Sequence, residues 1–521
     1  MKITSTVVVA LGLLTVAWGD EPINIDIGRQ LFVDDYLIGK TNGVVRYWNK
    51  PVKMLKPVIW PGDGSGAKAR KKGEAPANLT SATDGGLWWD PTRKKFRFWY
   101  QADWIGDICY AESTDGIKWE YPDLPAIPGC NRVFEKDVID SWAVLPDYTS
   151  DKPYENWNMH ISEPGGPTRD MLYRSTDGGV TFKKISFAGR SGDRSTMYYD
   201  PFREVWVFSL RYGNWPRARA YYENKVFGSE DCHWRWAFGG DPKTWEKYPK
   251  CEPWLWANIA RNSSLYSFNA VAYESLMLGV MEVLLSHPRD NKGCAAVGLP
   301  KQTNLHFVFS RDGKKFDNLR KEPDIASAGW GSGQWDTGYL SATAGICIIM
   351  GDELWFYYSG LRGDGTNTAP DPWEKNGMYT NGSIGLAKLR RDGFAGIVAD
   401  AAGELETKPV VFKEKSKSKH LFVNADCMFG SVAAEVLDAS GKVIPGFSAE
   451  DCIALKGKDS TKAELTWKNA NLSKLAGKTV SFRFKITCAT LFSFWVSPSE
   501  RGESKGYVAA GGPDYPGLRD L

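Results

Sequence analysis

Five acidic residues recur at one place in a repeating unit: Asp84, Asp140, Asp193, Glu274 and Asp336 each stand beside an aromatic-rich or apolar segment. If those segments are the innermost strands of sheets set round an axis, their acids converge on it. Carboxylates crowded into one small hollow separate in pKa, so that one stays protonated while its neighbour is ionised. Such a pair can protonate a leaving oxygen and supply a nucleophile or activate water, which is the chemistry that breaks a glycosidic bond. The roles expected are Glu274 as general acid, Asp193 as nucleophile or base, and Asp140 as a holder of sugar hydroxyls. Asp84 and Asp336 are expected to bind substrate in support. Arg194, next to Asp193, would keep that acid ionised or grip a hydroxyl or a sugar carboxylate. Trp88, Trp335 and Tyr273 flank the same openings. Aromatic faces there stack on the C–H faces of pyranose rings, or else pack between neighbouring sheets.

The elements that must carry these residues read as β-strands. Each copy of the repeat ends in a Ser-x-Asp-Gly turn followed by an aromatic: Ser113-Thr114-Asp115-Gly116 with Trp119, Ser175-Thr176-Asp177-Gly178 with Phe182, and Ser310-Arg311-Asp312-Gly313 with Phe316. Ser and Asp side chains satisfy backbone N–H groups in such turns and Gly takes a positive φ, so these acids are structural. Weaker copies end at Asp231 and Asp392. The copies lie between about 54 and 81 residues apart, a spacing suited to four-stranded blades with variable loops. Period-two segments such as 95–100, 156–161, 204–209 and 353–358 supply the middle strands. The fold class expected is all-β: a five-bladed β-propeller followed by a C-terminal β-sandwich. The blades are expected near 80–125, 138–187, 190–247, 264–320 and 334–412. Residues 30–38 read as an extra strand that joins the last blade and closes the ring, removing open sheet edges. After Lys419 the repeat stops, and short strands between Gly, Asp and Ser turns predict the sandwich.

The domains expected are therefore a signal peptide at 1–19, the propeller at 20–412 and the sandwich at 413–521. Lys2, the apolar run from Val7 to Val16 and Ala17-Trp18-Gly19 have the order of an export leader, so a secreted or periplasmic protein is expected. No segment after it is long and apolar enough to span a bilayer. Lys and Arg number 65 against 62 Asp and Glu, a net charge of +3 over 521 residues, which argues against nucleic acid or an anionic membrane as partner. The nine cysteines are scattered without a C-x-x-C, and the five histidines form no H-x-x-x-H pair. These patterns speak against a small disulfide scaffold or a dedicated zinc site, though Cys232 and Cys251 are spaced to bridge one loop. No metal ligand set and no cofactor are called for. The crowding of acids on an axis leaves room for a structural divalent ion such as Ca2+. Residues 360–381 form a long Gly/Asn/Pro-rich loop with Trp373, of the kind that carries specificity on a rigid scaffold. Nothing in the sequence specifies an oligomeric state.

The segments Leu31-Phe32-Val33-Asp34-Asp35-Tyr36-Leu37-Ile38, Gly85-Gly86-Leu87-Trp88-Trp89-Asp90-Pro91, Gly192-Asp193-Arg194-Ser195-Thr196-Met197-Tyr198-Tyr199-Asp200-Pro201 and Ala272-Tyr273-Glu274-Ser275 resemble those of the glycoside hydrolase family 32 group, in the clan it shares with family 43, and its secreted relatives. The resemblance implies a five-bladed propeller, a C-terminal sandwich and a carbohydrate-active site in the propeller funnel, with an oligosaccharide or polysaccharide as substrate. Three signatures of the group are missing. The chain has no Asn-Asp-Pro-Asn-Gly opening, no Arg-Asp-Pro motif in blade two and no Glu-Cys pair in blade three, so fructose-specific chemistry does not carry over. The resemblance also implies Asp where Asn269 stands. Asn269 is kept as a substrate-binding residue, and this departure favours the alternative of a non-catalytic carbohydrate-binding propeller over a secreted glycoside hydrolase.

Overall fold

The computed structural model describes residues 21–134, 139–163, 168–213, 216–235, 243, 246–259, 263–317, 319–366, 377–413 and 418–521. The leader expected at 1–19 lies outside them, as do residues 367–376 of the blade-five loop with Trp373.

Five sheets stand round an axis. Blade one runs through Thr80–Asp90, Lys95–Ala102, Asp107–Ser113 and Arg132–Phe134. Blade two is Ser141–Pro146, Trp157–Glu163, Thr168–Ser175 and Lys183–Ser191, and blade three is Thr196–Asp200, Val205–Tyr212, Ala218–Asn224 and Glu252–Trp256. Blade four holds Ser264–Glu274, Leu276–Leu284 and Thr303–Ser310, with bridges from Asp317 and Ile325 along its outer edge. Blade five holds Gly338–Met350, Glu353–Leu361 and Gly382–Arg390. The innermost strands touch in the order one to five, and blade five returns to blade one through a parallel pairing of Thr343 with Asp84. All five innermost strands begin on the same face of the ring.

The Ser-x-Asp-Gly turns lie on the opposite face and are built as the sequence implies. The Ser113 hydroxyl accepts from the Gly116 N–H at 2.9 Å, and the Asp115 carboxylate accepts from the N–H groups of Ile117 and Lys118, both at 2.8 Å. The same pattern recurs at Asp177 and Asp312. Bulky rings fill the wedges between blades: Trp99 of blade one and Trp157 of blade two lie 4.4 Å apart, both fully buried. Gly179 has φ +74°, and a Cβ there would sit 2.4 Å from the Trp99 ring, so the turn must be Gly to seat that indole.

Two expectations about the chain ends are corrected. Residues 30–38 do not close the ring. Gln30–Leu31 pairs with Phe494 and Ser493 of the long sandwich strand Ser481–Ser497, and Ile38–Asn42 pairs with residues 404–407. The closing strand is Val52–Lys53, antiparallel to Ala387 and Lys388 on the outer edge of blade five. The closing strand is only two residues long and one of them is Lys53, so its sequence pattern does not mark it and only the tertiary pairing reveals it. The sandwich also takes strands from both sides of the expected boundary at 412, because Val45–Trp48 and Ala395–Thr407 join its sheet. Finally, the C-terminal segment runs across the far face of the ring. Ala509 donates to Ala272 of blade four, Ala510 to Cys347 of blade five, and Trp89 of blade one donates to Ala510, at 2.9–3.0 Å. Backbone hydrogen bonds thus tie three blades together where their inner strands end. No disulfide joins Cys232 and Cys251, which are both buried thiols in the core and not a bridge.

Candidate functional site

The face on which the inner strands begin gathers ionisable groups in two layers. Asp140 directly precedes the inner strand of blade two and Asp193 nearly precedes that of blade three, so each projects from a strand start into the funnel. Middle-strand hairpins return to the same face and add cations. Arg211 is the penultimate residue of the middle strand Val205–Tyr212 and Arg217 stands just ahead of Ala218–Asn224. Arg211 donates to one oxygen of Asp193, and Arg217 donates to the other at 3.0 Å. Lys301, ahead of Thr303–Ser310, is buried. Its ammonium donates to the Tyr266 hydroxyl at 2.6 Å and lies 3.8 Å from the centre of the Tyr339 ring.

The two acids part company in this field. Burial raises the Asp140 pKa and the negative charge of Asp193 adds to it. Arg194, Lys301 and Arg217 oppose the rise only in part, and the pKa reaches about 7. Burial also acts on Asp193, but Arg217, Arg211 and Lys301 outweigh it and bring the pKa to about 2. One carboxyl is therefore protonated, and its neighbour ionised, at mildly acidic pH. Tyr266 is affected similarly: burial would raise its phenol, but Lys301 and Arg217 bring it below the ordinary range.

Beneath lies a buried hub. Arg194 has φ +63° and sends its side chain down the axis. Its guanidinium meets Glu282 of blade four at 2.6 Å, Asp84 of blade one at 3.1 Å and the Ser341 hydroxyl of blade five at 3.1 Å. Its N–H donates to the Ser141 hydroxyl of blade two, so all five blades meet at one residue of blade three. Asn269 and Ser267 donate to the other Asp84 oxygen at 2.9 and 2.8 Å. Burial, opposed by Arg194 and reinforced by Asp84, brings Glu282 to about 7. The divalent ion considered on the axis does not fit these carboxylates, since the Arg194 charge already lies between them. No group of three or more His, Cys, Asp or Glu side chains is placed to hold a metal among the described residues.

The structure thus brings Asp140, Asp193, Arg194, Asp84 and Asn269 together on or near the axis, the last three as its buried floor. It does not bring Glu274 there. The strand expected to begin near that residue starts at Ser264 and ends at Glu274, ten residues further along, which puts Glu274 on the far face. Its oxygens meet Arg391 at 3.0 Å, Arg29 at 3.5 Å and the Ser504 hydroxyl at 2.7 Å, all buried at the seam with the sandwich. The general-acid role expected for Glu274 is corrected accordingly. Tyr273 shares the seam and donates to Asp392. Trp88 is also on the far side of its strand, wedged between blades one and two, with its indole N–H donating to the Val144 carbonyl at 2.8 Å. Asp336 accepts from Lys53 at 2.6 Å and from Tyr358 at 3.0 Å, joining the closing strand to blade five. Trp335 packs on Tyr358 and borders a separate cavity. These five residues are structural or peripheral to the axial group. Replacing Glu274 with Gln is expected to cost about 3–5 kcal/mol in denaturant unfolding, because it takes from buried Arg391 its carboxylate partner, Arg29 keeping Asp392 at 3.0 Å, while the folded fraction keeps its specific activity.

Sequence reasoning missed Arg211, Arg217, Lys301, Tyr266 and Glu282. A usable signal existed for the first three. In a four-stranded blade the connection after the second strand returns to the face where the first strand began, so charged residues there belong with the strand openings.

No protein-family model matches the chain, and no curated protein matches it in sequence. Solved structures do align with it. The chain is similar in outline to several carbohydrate-cleaving enzymes. The catalytic domain of an α-L-arabinofuranosidase from Coprinopsis cinerea aligns at TM-score 0.38 with 12% identity, over 66% of this chain and 98% of that one. A β-fructofuranosidase from Schwanniomyces occidentalis aligns at 0.37 with 10% identity, over 86% and 97%. An exo-β-1,3-galactanase from Phanerochaete chrysosporium aligns at 0.34 with 8% identity, over 83% and 99%. These scores are all below 0.5, so chemistry has to be read from this chain's own side chains.

Proposed function

We propose that the protein is an exported glycoside hydrolase that cleaves an oligosaccharide or polysaccharide in the propeller funnel, with Asp140 as general acid and Asp193 as nucleophile or base. One observation carries this reading: two neighbouring carboxyls at strand openings are driven to about 7 and about 2 by their surroundings. A carboxyl protonated near neutrality can donate to a departing sugar oxygen, and one ionised throughout can attack carbon or activate water. Arg211 and Arg217 hold Asp193 in one orientation, as a positioned nucleophile or base needs. The same clamp favours a second reading, a carbohydrate-binding propeller without turnover, because both Asp193 oxygens are already occupied by donors.

Reducing-sugar release from a panel of neutral and acidic oligosaccharides separates the two. Hydrolysis of at least one substrate, falling at least about a hundredfold in Asp193→Asn with the fold intact by circular dichroism, is the expected result. Binding of a saccharide without hydrolysis of any member would decide for the second reading.

A further inference from the structure

A second hollow opens on the same face as the funnel, between blade five and blade one. It has a volume of about 660 Å³, within the range of small-molecule sites. Trp60 and Trp335 wall it, with Asn78, Asn381, Lys56 and Arg362 around them. Asn78 stands just ahead of the inner strand of blade one, and Trp335 just ahead of that of blade five, as Asp140 and Asp193 do in blades two and three.

Its chemistry is specific in three respects. Trp60 is 43% exposed, which is unusual for an indole, and Trp335 is half-buried. Trp335 is held in place from behind, because it faces Tyr358 at 5.3 Å and crosses Gly385, where a Cβ would lie 2.2 Å from its ring. Among the described residues the lining contains no Asp or Glu. Neither the Lys56 ammonium nor the Arg362 guanidinium makes a hydrogen bond or ion pair to any of them. Two unpaired cations beside two indoles in an apolar-walled hollow form a field that attracts anions and a surface that stacks sugar rings. A guanidinium pairs bidentately with a carboxylate or a sulfate, and an ammonium supplies a point charge beside it.

We propose that this hollow is a second saccharide-binding site, selective for a sugar unit that bears a carboxylate or a sulfate. It holds one part of a chain whose other part enters the funnel. That last clause rests on the hydrolase reading; the binding site itself does not.

The test is calorimetric titration of wild-type protein, Arg362→Gln, Trp60→Ala and Asp193→Asn with three probes: trigalacturonate, a sulfated carrageenan tetrasaccharide and neutral galactotriose. At least one acidic probe is expected to bind wild type, and Asp193→Asn, which frees Arg211 and Arg217, is expected to bind it at least as tightly. Arg362→Gln should weaken it about tenfold without a comparable loss for the neutral probe, and Trp60→Ala should weaken it by a similar factor. The probe that responds tells a carboxylate site from a sulfate site. Absence of acidic-probe binding to wild type, or binding that Arg362→Gln leaves unchanged, overturns the proposal whatever the hydrolysis panel shows. Binding that behaves as expected in a protein that hydrolyses nothing would remove the hydrolase reading and leave this site standing. Trp60 and Arg362 are both exposed, so neither variant is expected to disturb folding, and unchanged melting temperatures confirm it.

Discussion

Replacing Asp140 with Asn is expected to lower turnover about 10²- to 10⁴-fold on natural oligosaccharides. Asn has the shape of the protonated carboxyl but cannot release a proton to the leaving oxygen. The loss should be much smaller on aryl glycosides with acidic leaving groups, which depart without help. A loss equal on both substrate types would assign Asp140 to substrate binding. The pH profile supplies an independent reading. Asp140 is held up at about 7 by burial and by Asp193, so its donating form is present below that pH and disappears as pH rises through it. Asp193, lowered to about 2, is ionised across the same range. Wild-type kcat/KM should therefore hold from mildly acidic pH to near neutrality and fall on the alkaline side. In the Asn variant that alkaline fall should vanish, leaving a flat, low profile.

Arg194→Met is expected to be the most damaging single change to stability. The side chain is 1% exposed and supplies the cation for Asp84 and Glu282, which are equally buried. Methionine matches much of its length and removes the charge, leaving the two carboxyls without the guanidinium that contacts them and with only the longer-range charges of Lys301 on Glu282 and Arg219 on Asp84. Breaking a buried pair in this way costs about 3–5 kcal/mol, and here one residue serves two acids from different blades. The penalty also depends on pH. Burial raises Glu282 to about 7 while Arg194 opposes the rise, so without Arg194 that pKa moves higher still. A group with a raised folded-state pKa contributes its stability below its unfolded value and loses it as pH rises. The variant should accordingly be closest to wild type in acid and weakest above neutrality, as measured by denaturant unfolding at several pH values. Glu282→Gln in the same background should recover part of the loss, and the double-mutant cycle gives the coupling between the two residues.

Local chemistry made much of the architecture legible. The Ser-x-Asp-Gly turns are written in residues three or four apart, so Asp115, Asp177 and Asp312 could be assigned to structural turns from the sequence alone. Aromatic and apolar strand-forming runs did the same for the middle strands, which are buried on both faces and not at alternate positions. Asp140 and Asp193 were also legible, because each stands directly ahead of, or close to, a strand start. Glu274 was not. The aromatic run around it reads equally well as the beginning or the end of a strand, and a displacement of ten residues carries a side chain from one face of a propeller to the other. Trp88 and Tyr273 followed it for the same reason. The closing strand was misplaced because Leu31 to Ile38 is the more apolar segment, and its partner proved to be the sandwich.

The amino-acid sequence alone settled the repeat, its turns and the all-β class, and offered Asp140 and Asp193 among five candidate acids, because each of these is encoded within a stretch of a few neighbouring residues. The tertiary structure alone decided which acid stays protonated, which cations surround Asp193, that Arg194 joins five blades, and that Glu274 belongs to the seam. Those outcomes depend on burial and on groups brought together from 18 to 245 positions apart, and electrostatic energies follow distance in space and exclusion of water, neither of which is written in the order of the chain.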